Sequence, residues 1–171
     1  MKKILLALFV LGVTACSSFA QTTKASSDAA KFSIGVDAGL PIGTTSDVYN
    51  FAIGGSLKYD VPIGSGVFVN LSAGYESFMV KSIFKNAGSP SSYGFVPIKA
   101  GIKFYFEGQG FYGEGQLGVA FSTQSGGGKA FAYAPGVGYT LDGGFDIGVR
   151  YEAWSNNGTV SQIALRAAYG F

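Results

Sequence analysis

The sequence predicts an all-β fold, an eight-stranded antiparallel up-and-down transmembrane β-barrel over residues 31–171. Three observations predict it. Hydrophobicity alternates with a period of two through nearly all of this region, as in strands that have two different faces. The connections between the apolar runs are alternately longer and shorter, and aromatic residues gather near the ends of the runs. The last two features are typical of barrels in a bilayer.

The composition agrees with this fold class. The chain has 171 residues with 27 glycines, 15% aromatic residues and 13% charged residues. That charged fraction is about half of what soluble domains carry. Few charges together with many glycines and aromatics favour β-structure that faces something less polar than water.

The first twenty residues predict a secretory signal peptide (1–20). A basic start, "MKK", precedes an apolar run over 4–13 that is too short to cross a bilayer as a helix. Two processing sites compete. Cleavage after Ala20 is preferred, because a polar segment follows directly; the alternative is a lipoprotein box that would leave a lipidated Cys16. Residues 21–30 predict a flexible periplasmic leader.

Charge and cysteine content narrow the possible functions. The 12 basic residues include Lys2 and Lys3 of the signal, so the mature chain has 12 − 2 = 10 basic residues against 10 acidic ones. A neutral mature chain gives no electrostatic basis for binding nucleic acid. Cleavage after Ala20 also removes the single cysteine, so we expect a fold that closes without disulfides.

Eight runs predict the strands: 31–41, 51–61, 66–79, 93–105, 110–122, 130–141, 145–154 and 160–171. Each has about the length of a tilted membrane-spanning strand. One phase of each run is apolar and carries no charge, while the other carries all the strand charges and many Gly and Ala residues. Small residues suit a narrow lumen. We therefore expect the apolar phase to face lipid and the charged phase to face the lumen.

The aromatic and proline residues of the runs lead to two further predictions. Aromatic residues there, including Phe95 and Trp154, are expected to form two girdles at the membrane interfaces. Pro97 and Pro135 lie inside runs and cannot donate to a ladder, which predicts bulges or strained pairing at both positions.

The closing segment "IALRAAYGF" (163–171) keeps its apolar phase to the end, at Ile163, Leu165, Tyr169 and Phe171. It resembles the C-terminal β-signal of outer-membrane barrels, which the barrel-assembly machinery reads. The segments "FVPIKAGIKFYF", "FYGEGQLGVAFS" and "PGVGYTLDGGFDIGVRYE" resemble the family of small, eight-stranded, porin-like outer-membrane β-barrels of Gram-negative bacteria. The resemblance implies a location in the cell outer membrane, in contact with its lipid, and it implies no activity.

Catalytic and cofactor motifs are missing from the sequence. The chain has no histidine, which excludes a Ser-His-Asp triad and histidine-ligated metal sites. "GQGFYG" (108–113) matches a dinucleotide fingerprint, but a period-two segment follows it where that site needs a helix. We predict no catalytic residue, no cofactor and no metal.

Inward charges are the first candidate site: Glu114, Arg150, Lys99, Glu152 and Arg166. Counting register from the short turns places Arg150 opposite Gly136 and Gly136 opposite Gln116, which predicts that Arg150 reaches over the glycine to Glu114. Such a network is either a polar path or a satisfied set of ion pairs that replaces a hydrophobic core. The second interpretation is favoured, because eight strands enclose only enough space for their own side chains.

The segment "VKSIFKNAGSPSS" (80–92) is the second candidate. Its Lys81, Phe84 and Lys85 mix basic and apolar character, which suits lipopolysaccharide phosphates or a protein partner; the alternative is an ordinary long loop. The predicted role is structural or surface-interactive, without catalysis. Two alternatives are a narrow channel for ions or small solutes and a lipid-anchored soluble barrel that binds an apolar ligand.

Overall fold

The computed structural model describes residues 29–85, 90–106 and 110–171. The predicted signal peptide, both candidate processing sites and most of the predicted leader lie outside these residues. No helix in the described part of the chain is long and apolar enough to cross a membrane. The elements are β1 (Lys31–Pro41), α1 (Thr45–Val48), β2 (Tyr49–Gly64), β3 (Val67–Val80), α2 (Ser82–Lys85), β4 (Ser92–Tyr105), β5 (Phe111–Ser122), β6 (Lys129–Thr140), β7 (Phe145–Ser155) and β8 (Thr159–Gly170).

The eight strands form a closed antiparallel barrel in which each strand pairs with the next and β8 pairs with β1. The closing seam runs from Ser33 opposite Gly170 to Pro41 opposite Gln162. Closure removes the two free edges that an open sheet would expose to lipid. The predicted fold class and up-and-down topology are confirmed.

The strands lie close to the predicted runs, and β2 differs most. It begins at Tyr49 rather than at residue 51 and continues to Gly64 rather than to 61. The longer β2–β3 hairpin contains two register irregularities, at Tyr49/Phe51 and at Pro62/Gly64. Gly66, with φ of 72°, then supplies the left-handed backbone conformation that the tight turn into β3 requires.

The outer wall of the barrel is apolar. Val36 is 66% exposed and Leu117 is 59% exposed, whereas their chain neighbours Asp37 and Gln116 are 4% and 5% exposed. The same alternation holds around the barrel, which confirms that the apolar phase points outward. Other exposed members of this belt are Ile34, Leu40, Ile53, Leu57, Leu71, Ile98, Ile102, Val137, Ile147, Val149, Ile163 and Leu165.

Aromatic residues surround both ends of this belt, but two of those predicted there point inward. Trp154 is 3% exposed, and its ring centroid lies 4.9 Å from that of Phe95. Trp154 follows Glu152 by two positions and Phe95 precedes Lys99 by four, so both share the parity of the lumen charges. The girdle assignment of Phe95 and Trp154 was wrong for this reason.

The two strand prolines interrupt pairing without shifting register. The β3–β4 partners stop at Ala73–Ile98 and resume at Glu76–Phe95, beside Pro97. The β6–β7 partners likewise stop at Tyr133–Ala153 and resume at Gly136–Arg150, beside Pro135. Of the two outcomes predicted at Pro97 and Pro135, the pairing is disturbed but no bulge is formed, because each proline leaves one short gap in a ladder whose flanking pairs hold the register.

The lumen is filled in three layers. Aromatic side chains of Phe68, Tyr105 and Tyr112 pack at the short-turn end. Charged and amide side chains fill the middle of the lumen. Phe78, Phe95 and Trp154 form an aromatic layer at the loop end, where they pack in one cluster with buried alanines. Where one strand carries a large inward side chain, the neighbouring strand carries glycine: a Cβ on Gly138 of β6 would collide with Tyr112 of β5, and one on Gly39 of β1 would collide with Gln162 of β8. This complementarity keeps the narrow lumen closely packed.

The apolar outer wall predicts a depth-dependent penalty for charge. Leu117→Arg, at the middle of β5, is expected to destabilise the barrel by about 2–4 kcal/mol, because the charge enters the hydrocarbon. Leu141→Arg makes the same change in the β6–β7 turn, and near an interface its cost is expected to be about 0–1 kcal/mol. Reversible unfolding in lipid vesicles measures both. Equal penalties for the two variants would contradict a lipid-facing wall.

Candidate functional site

The lumen charges of the loop-side half form one network around Glu152. The Lys99 ammonium contacts the Glu152 carboxylate, and Arg150 Nε donates to Glu152 Oε2 at 2.6 Å. Arg150 Nη1 also donates to Asp37 Oδ1 at 2.8 Å. Trp154 Nε1 donates to Glu152 Oε1 at 3.1 Å. A carboxylate that is 1% exposed thus has three donors, and the network links β1, β4 and β7.

A second network is centred on Glu114. Lys58 Nζ lies 3.0 Å from Glu114 Oε2, and Asn70 Nδ2 donates to Glu114 Oε1 at 2.8 Å. Gln116 Nε2 continues the chain by donating to Asn70 Oδ1 at 2.8 Å. Because these residues come from β2, β3 and β5, the network spans the lumen rather than following one wall.

A third group lies near the short-turn end, around Asp146. Lys103 Nζ lies 3.2 Å from Asp146 Oδ2 and 3.8 Å from the centroid of the Tyr112 ring. The Tyr112 hydroxyl donates to Asp146 Oδ1 at 2.7 Å. Arg166 donates to Ser33 at 3.2 Å, and its Nη1 lies 3.9 Å from Asp146 Oδ1. Burial of these charges is offset by pairing and by direct hydrogen bonds.

The structure places all five predicted network residues in the lumen, but the predicted pair between Arg150 and Glu114 is wrong. Arg150 does lie opposite Gly136, yet Gly136 lies opposite Glu114 and not opposite Gln116. Arg150 pairs instead with Glu152 on its own strand and with Asp37 of β1, and Glu114 pairs with Lys58 of β2. Register identifies only directly paired strands, whereas these long side chains also reach residues on their own strand and on strands two or three places away.

Glu76 differs from the other lumen carboxylates. It is 3% exposed, and within the described ranges no basic group lies within 4.0 Å of it. Its carboxylate accepts a hydrogen bond from Gln162 Nε2. The lumen therefore contains one carboxylate that is held by an amide alone.

The predicted network left out several lumen residues. Asp37, Lys58 and Asp146 were assigned to the lumen phase with the other strand charges but not to the network, where each is a direct partner of a predicted residue. Trp154 and Tyr112, which donate to lumen carboxylates, were left out as well. All of them share the parity of the charged phase. Trp154 lies two residues after Glu152, and Tyr112 lies two residues before Glu114. The alternation that places these two charges in the lumen therefore also places the two aromatic side chains there.

Little space remains between these side chains. A polar cavity bordered by Asp37, Lys58, Glu114 and Arg150 has a volume of about 40 Å³, which is room for about one water molecule. Among the described residues, no group of three or more His, Cys, Asp and Glu side chains is arranged to hold a metal ion. The arrangement of paired charges in the lumen can brace the wall.

The second candidate site lies on the β3–β4 connection. Its helix α2 covers Ser82–Lys85, and the side chains of Ile83 and Phe84 are 72% and 38% exposed. The Lys81 N–H donates to the Val48 carbonyl at 2.9 Å, which fixes the start of this connection against α1. Residues 86–89 lie outside the described part of the chain.

The C-terminal strand shows the expected outward phase. Ile163, Leu165 and Tyr169 are 40–47% exposed on the lipid-facing wall. Phe171 is 58% exposed, and its ring packs edge-on against Tyr169 with centroids 5.1 Å apart. The Phe171 N–H donates to the Phe32 carbonyl at 2.8 Å, so the backbone of the last residue is tied to the closing seam.

The different surroundings of Glu152 and Glu76 predict opposite responses to the same change. Glu152→Gln leaves Lys99 and Arg150 short of a buried counter-charge and is expected to cost about 3–5 kcal/mol. Glu76→Gln keeps an acceptor for Gln162 and removes a carboxylate without a basic partner, so we expect stability within about 1 kcal/mol of the wild type, or higher. Equilibrium unfolding in lipid vesicles compares them. A Glu76→Gln penalty as large as that of Glu152→Gln would show that the assigned pairing is incorrect.

Comparison with solved structures shows the same barrel in distantly related chains. The outer membrane protein Ail of Yersinia pestis in a phospholipid bilayer nanodisc is 18% identical, with a TM-score of 0.60 over 84% of this chain and 100% of that chain. The outer membrane enzyme PagL is 16% identical, with a TM-score of 0.62 over 80% and 98%. The N-terminal β-barrel domain of Pseudomonas aeruginosa OprF is 12% identical, with a TM-score of 0.58 over 82% and 97%. At these identities the likeness shows the fold alone.

The family comparison covers nearly the whole chain. A search of curated proteins finds no significant match. The family model described as "Outer membrane protein beta-barrel domain" matches residues 9–171, which include all eight strands. The apolar outer wall, the polar lumen and this match agree, and the chain belongs to the outer membrane protein β-barrel domain family.

Proposed function

We propose that this protein is an integral outer-membrane barrel of a Gram-negative cell with a structural or surface-interaction role and no catalytic activity. The observation that carries the proposal is the packed lumen, in which charged side chains are buried and tied to one another across the barrel. Because side chains fill the lumen and the outer wall faces lipid, the connections between strands are the surface that other molecules would contact.

Neither the narrow channel nor the lipid-anchored soluble barrel with an apolar ligand has comparable support. A narrow channel needs a continuous wet path, whereas aromatic layers lie at both ends of the lumen and the central polar cavity has a volume of only about 40 Å³. A soluble barrel with an apolar ligand needs an apolar interior and a polar exterior. Here Leu117 and Val36 face outward while Lys99 and Glu152 face inward, which is the reverse arrangement.

We also propose how the protein is exported and assembled in the membrane. Export uses a signal peptide that is cleaved after Ala20, and the barrel-assembly machinery recognises the C-terminal strand through its apolar phase, which ends at Phe171. The exposed outward face of Ile163, Leu165 and Tyr169 supports this proposal, because these side chains are available along one surface of the strand.

For the surface role we propose the β3–β4 connection, whose Lys81 and Lys85 would contact lipopolysaccharide phosphates while the exposed Ile83 and Phe84 contact apolar groups. Ammonium groups bind phosphate oxygens through charge-assisted hydrogen bonds. A structure of Ail in complex with the heparin analogue sucrose octasulfate gives an example of a barrel of this fold that binds a polyanion.

The loop proposal predicts a stability change that depends on lipopolysaccharide. In vesicles that contain lipopolysaccharide, the wild-type barrel is expected to be more stable than in vesicles without it, and Lys81→Gln with Lys85→Gln should remove about 2 kcal/mol of that gain. Lys129→Gln, at the start of β6, is the matched control and should retain the gain. Unfolding in dephosphorylated lipopolysaccharide gives a second comparison. No gain in the wild type, or an equal loss in the control, would exclude this partner.

Deletion of Phe171 is expected to affect assembly in cells more than stability. At the rim the exposed ring contributes on the order of 1–2 kcal/mol, so folding into detergent micelles should remain largely intact. The amount of barrel in the outer membrane should fall, because the recognised strand loses its terminal aromatic. Quantitative membrane fractionation and in vitro refolding of the same variant give the comparison. A parallel loss in both assays would assign Phe171 a structural role, and no loss in either would remove it from the signal.

A further inference from the structure

The buried carboxyl group of Glu76 has no counter-charge of its own. The basic groups close enough to influence it are Arg150 and Lys99. Both of them already have partners. Lys99 and Arg150 Nε contact the Glu152 carboxylate, and Arg150 Nη1 donates to Asp37 Oδ1 at 2.8 Å. Two carboxylates thus balance two bases, and an ionised Glu76 would add an excess negative charge to this layer of the lumen.

The elements packed around Glu76 supply no further base within the described ranges. β2 presents Gly54, where an added Cβ would lie 3.1 Å from the Glu76 α-carbon. β4 presents Phe95 directly opposite Glu76. β8 presents the amide of Gln162, and the further charge that β7 brings near is the like charge of Glu152.

Water has little room to replace a missing counter-charge. Glu76 is 3% exposed, and the polar cavity that it borders has a volume of about 40 Å³. That volume holds about one water molecule, which is too few to hydrate a carboxylate. A buried carboxyl group without a basic partner takes up a proton in preference to keeping its charge.

The amide of Gln162 is the direct partner of Glu76, and half of it is unsatisfied. Gln162 is 1% exposed, and its Nε2 donates to Glu76 Oε1. Its own Oε1 is buried, and in the part of the chain that the structure describes it receives no hydrogen bond. A Cβ on Gly39 would collide with this oxygen, so the oxygen packs against the Gly39 backbone. A buried acceptor that lacks a donor is costly, and Glu76 is the group in contact with this amide that can carry a proton.

We propose that Glu76 binds one proton in the folded barrel and forms a cyclic acid–amide pair with Gln162. One Glu76 oxygen carries the proton and donates to Gln162 Oε1, while Gln162 Nε2 donates to the other oxygen. The pair is neutral, and both halves of the amide then have partners. The lumen therefore contains a proton-binding site that makes the stability of the barrel depend on pH, and this site is independent of the proposed surface role.

Infrared spectroscopy detects this proton directly, because a carboxylic acid has a C=O stretching band at higher frequency than amides and carboxylates. The barrel is measured in vesicles of an ether-linked phospholipid, which has no ester carbonyl band. We expect the acid band in the wild type at neutral pH, and side-chain carbon-13 labelling of glutamate should lower its frequency. The band should disappear in Glu76→Gln and persist in Asp142→Asn, which removes an exposed carboxylate from the β6–β7 turn.

A second variant tests the pair itself. Gln162→Met removes both hydrogen bonds and leaves the acid in place, so the band should remain and shift to higher frequency. The labelled wild type and Gln162→Met test the proposal even if Glu76→Gln fails to fold. Absence of a labelled acid band at neutral pH in the wild type, or its survival in Glu76→Gln, would overturn the proposal.

Equilibrium unfolding at several pH values gives an independent readout. In the unfolded chain a glutamate has a pKa of about 4.3, so at neutral pH Glu76 would release its proton on unfolding. As the pH rises above that value, the folding equilibrium constant of the wild type, divided by that of Glu76→Gln, should fall about tenfold per pH unit. The other titrating groups are common to both proteins and cancel in this ratio. A ratio that does not change with pH would contradict proton uptake by Glu76.

Discussion

The hydrogen-bonded seam between β1 and β8 is the constraint on which the rest of the structure depends. In hydrocarbon every backbone N–H and C=O needs a protein partner, and only a closed sheet provides one for each strand. Closure with eight strands also fixes the width of the lumen, which holds side chains and little else. The glycines and alanines of the inward phase follow from that width, because a Cβ on Gly138 would meet Tyr112 and one on Gly39 would meet Gln162 of the neighbouring strands.

The narrow lumen then determines how its charges are arranged. Charged groups that are buried together need counter-charges and hydrogen bonds, and in this barrel they find them on distant strands. Arg150 of β7 pairs with Asp37 of β1, Lys58 of β2 pairs with Glu114 of β5, and Lys99 of β4 pairs with Glu152 of β7. These contacts join strands that are two or three places apart, so they brace the barrel from inside. The proposed surface role therefore rests on the loop end, in the β3–β4 connection.

Period-two alternation was sufficient to predict the strands and their two faces, because every strand must separate lipid from lumen. It did not identify the ion-pair partners, since alternation specifies a face and carries no information about which strand lies across the lumen. Trp154 and Phe95 were assigned to the girdles on their position near strand ends, although their parity with Glu152 and Lys99 placed them inside. The hydrogen bonds at the loop end, from Asn156 to the Lys129 carbonyl and from Ser161 to Thr45, were beyond prediction from the sequence, because each joins residues far apart in the chain.

Methyl NMR of the unmodified barrel in lipid bilayers, with two paramagnetic agents, tests the central claim of an apolar wall around a closed polar lumen. A nitroxide carried on lipid chains should broaden the outward methyls of Leu117, Ile147 and Leu165 more strongly than the inward methyls of Ala132 and Ala164, which are 0% exposed. A water-soluble gadolinium chelate should leave both groups sharp. Broadening of Ala132 and Ala164 by the chelate would show an open lumen, and broadening of the three outward residues by the chelate would show that the wall faces water.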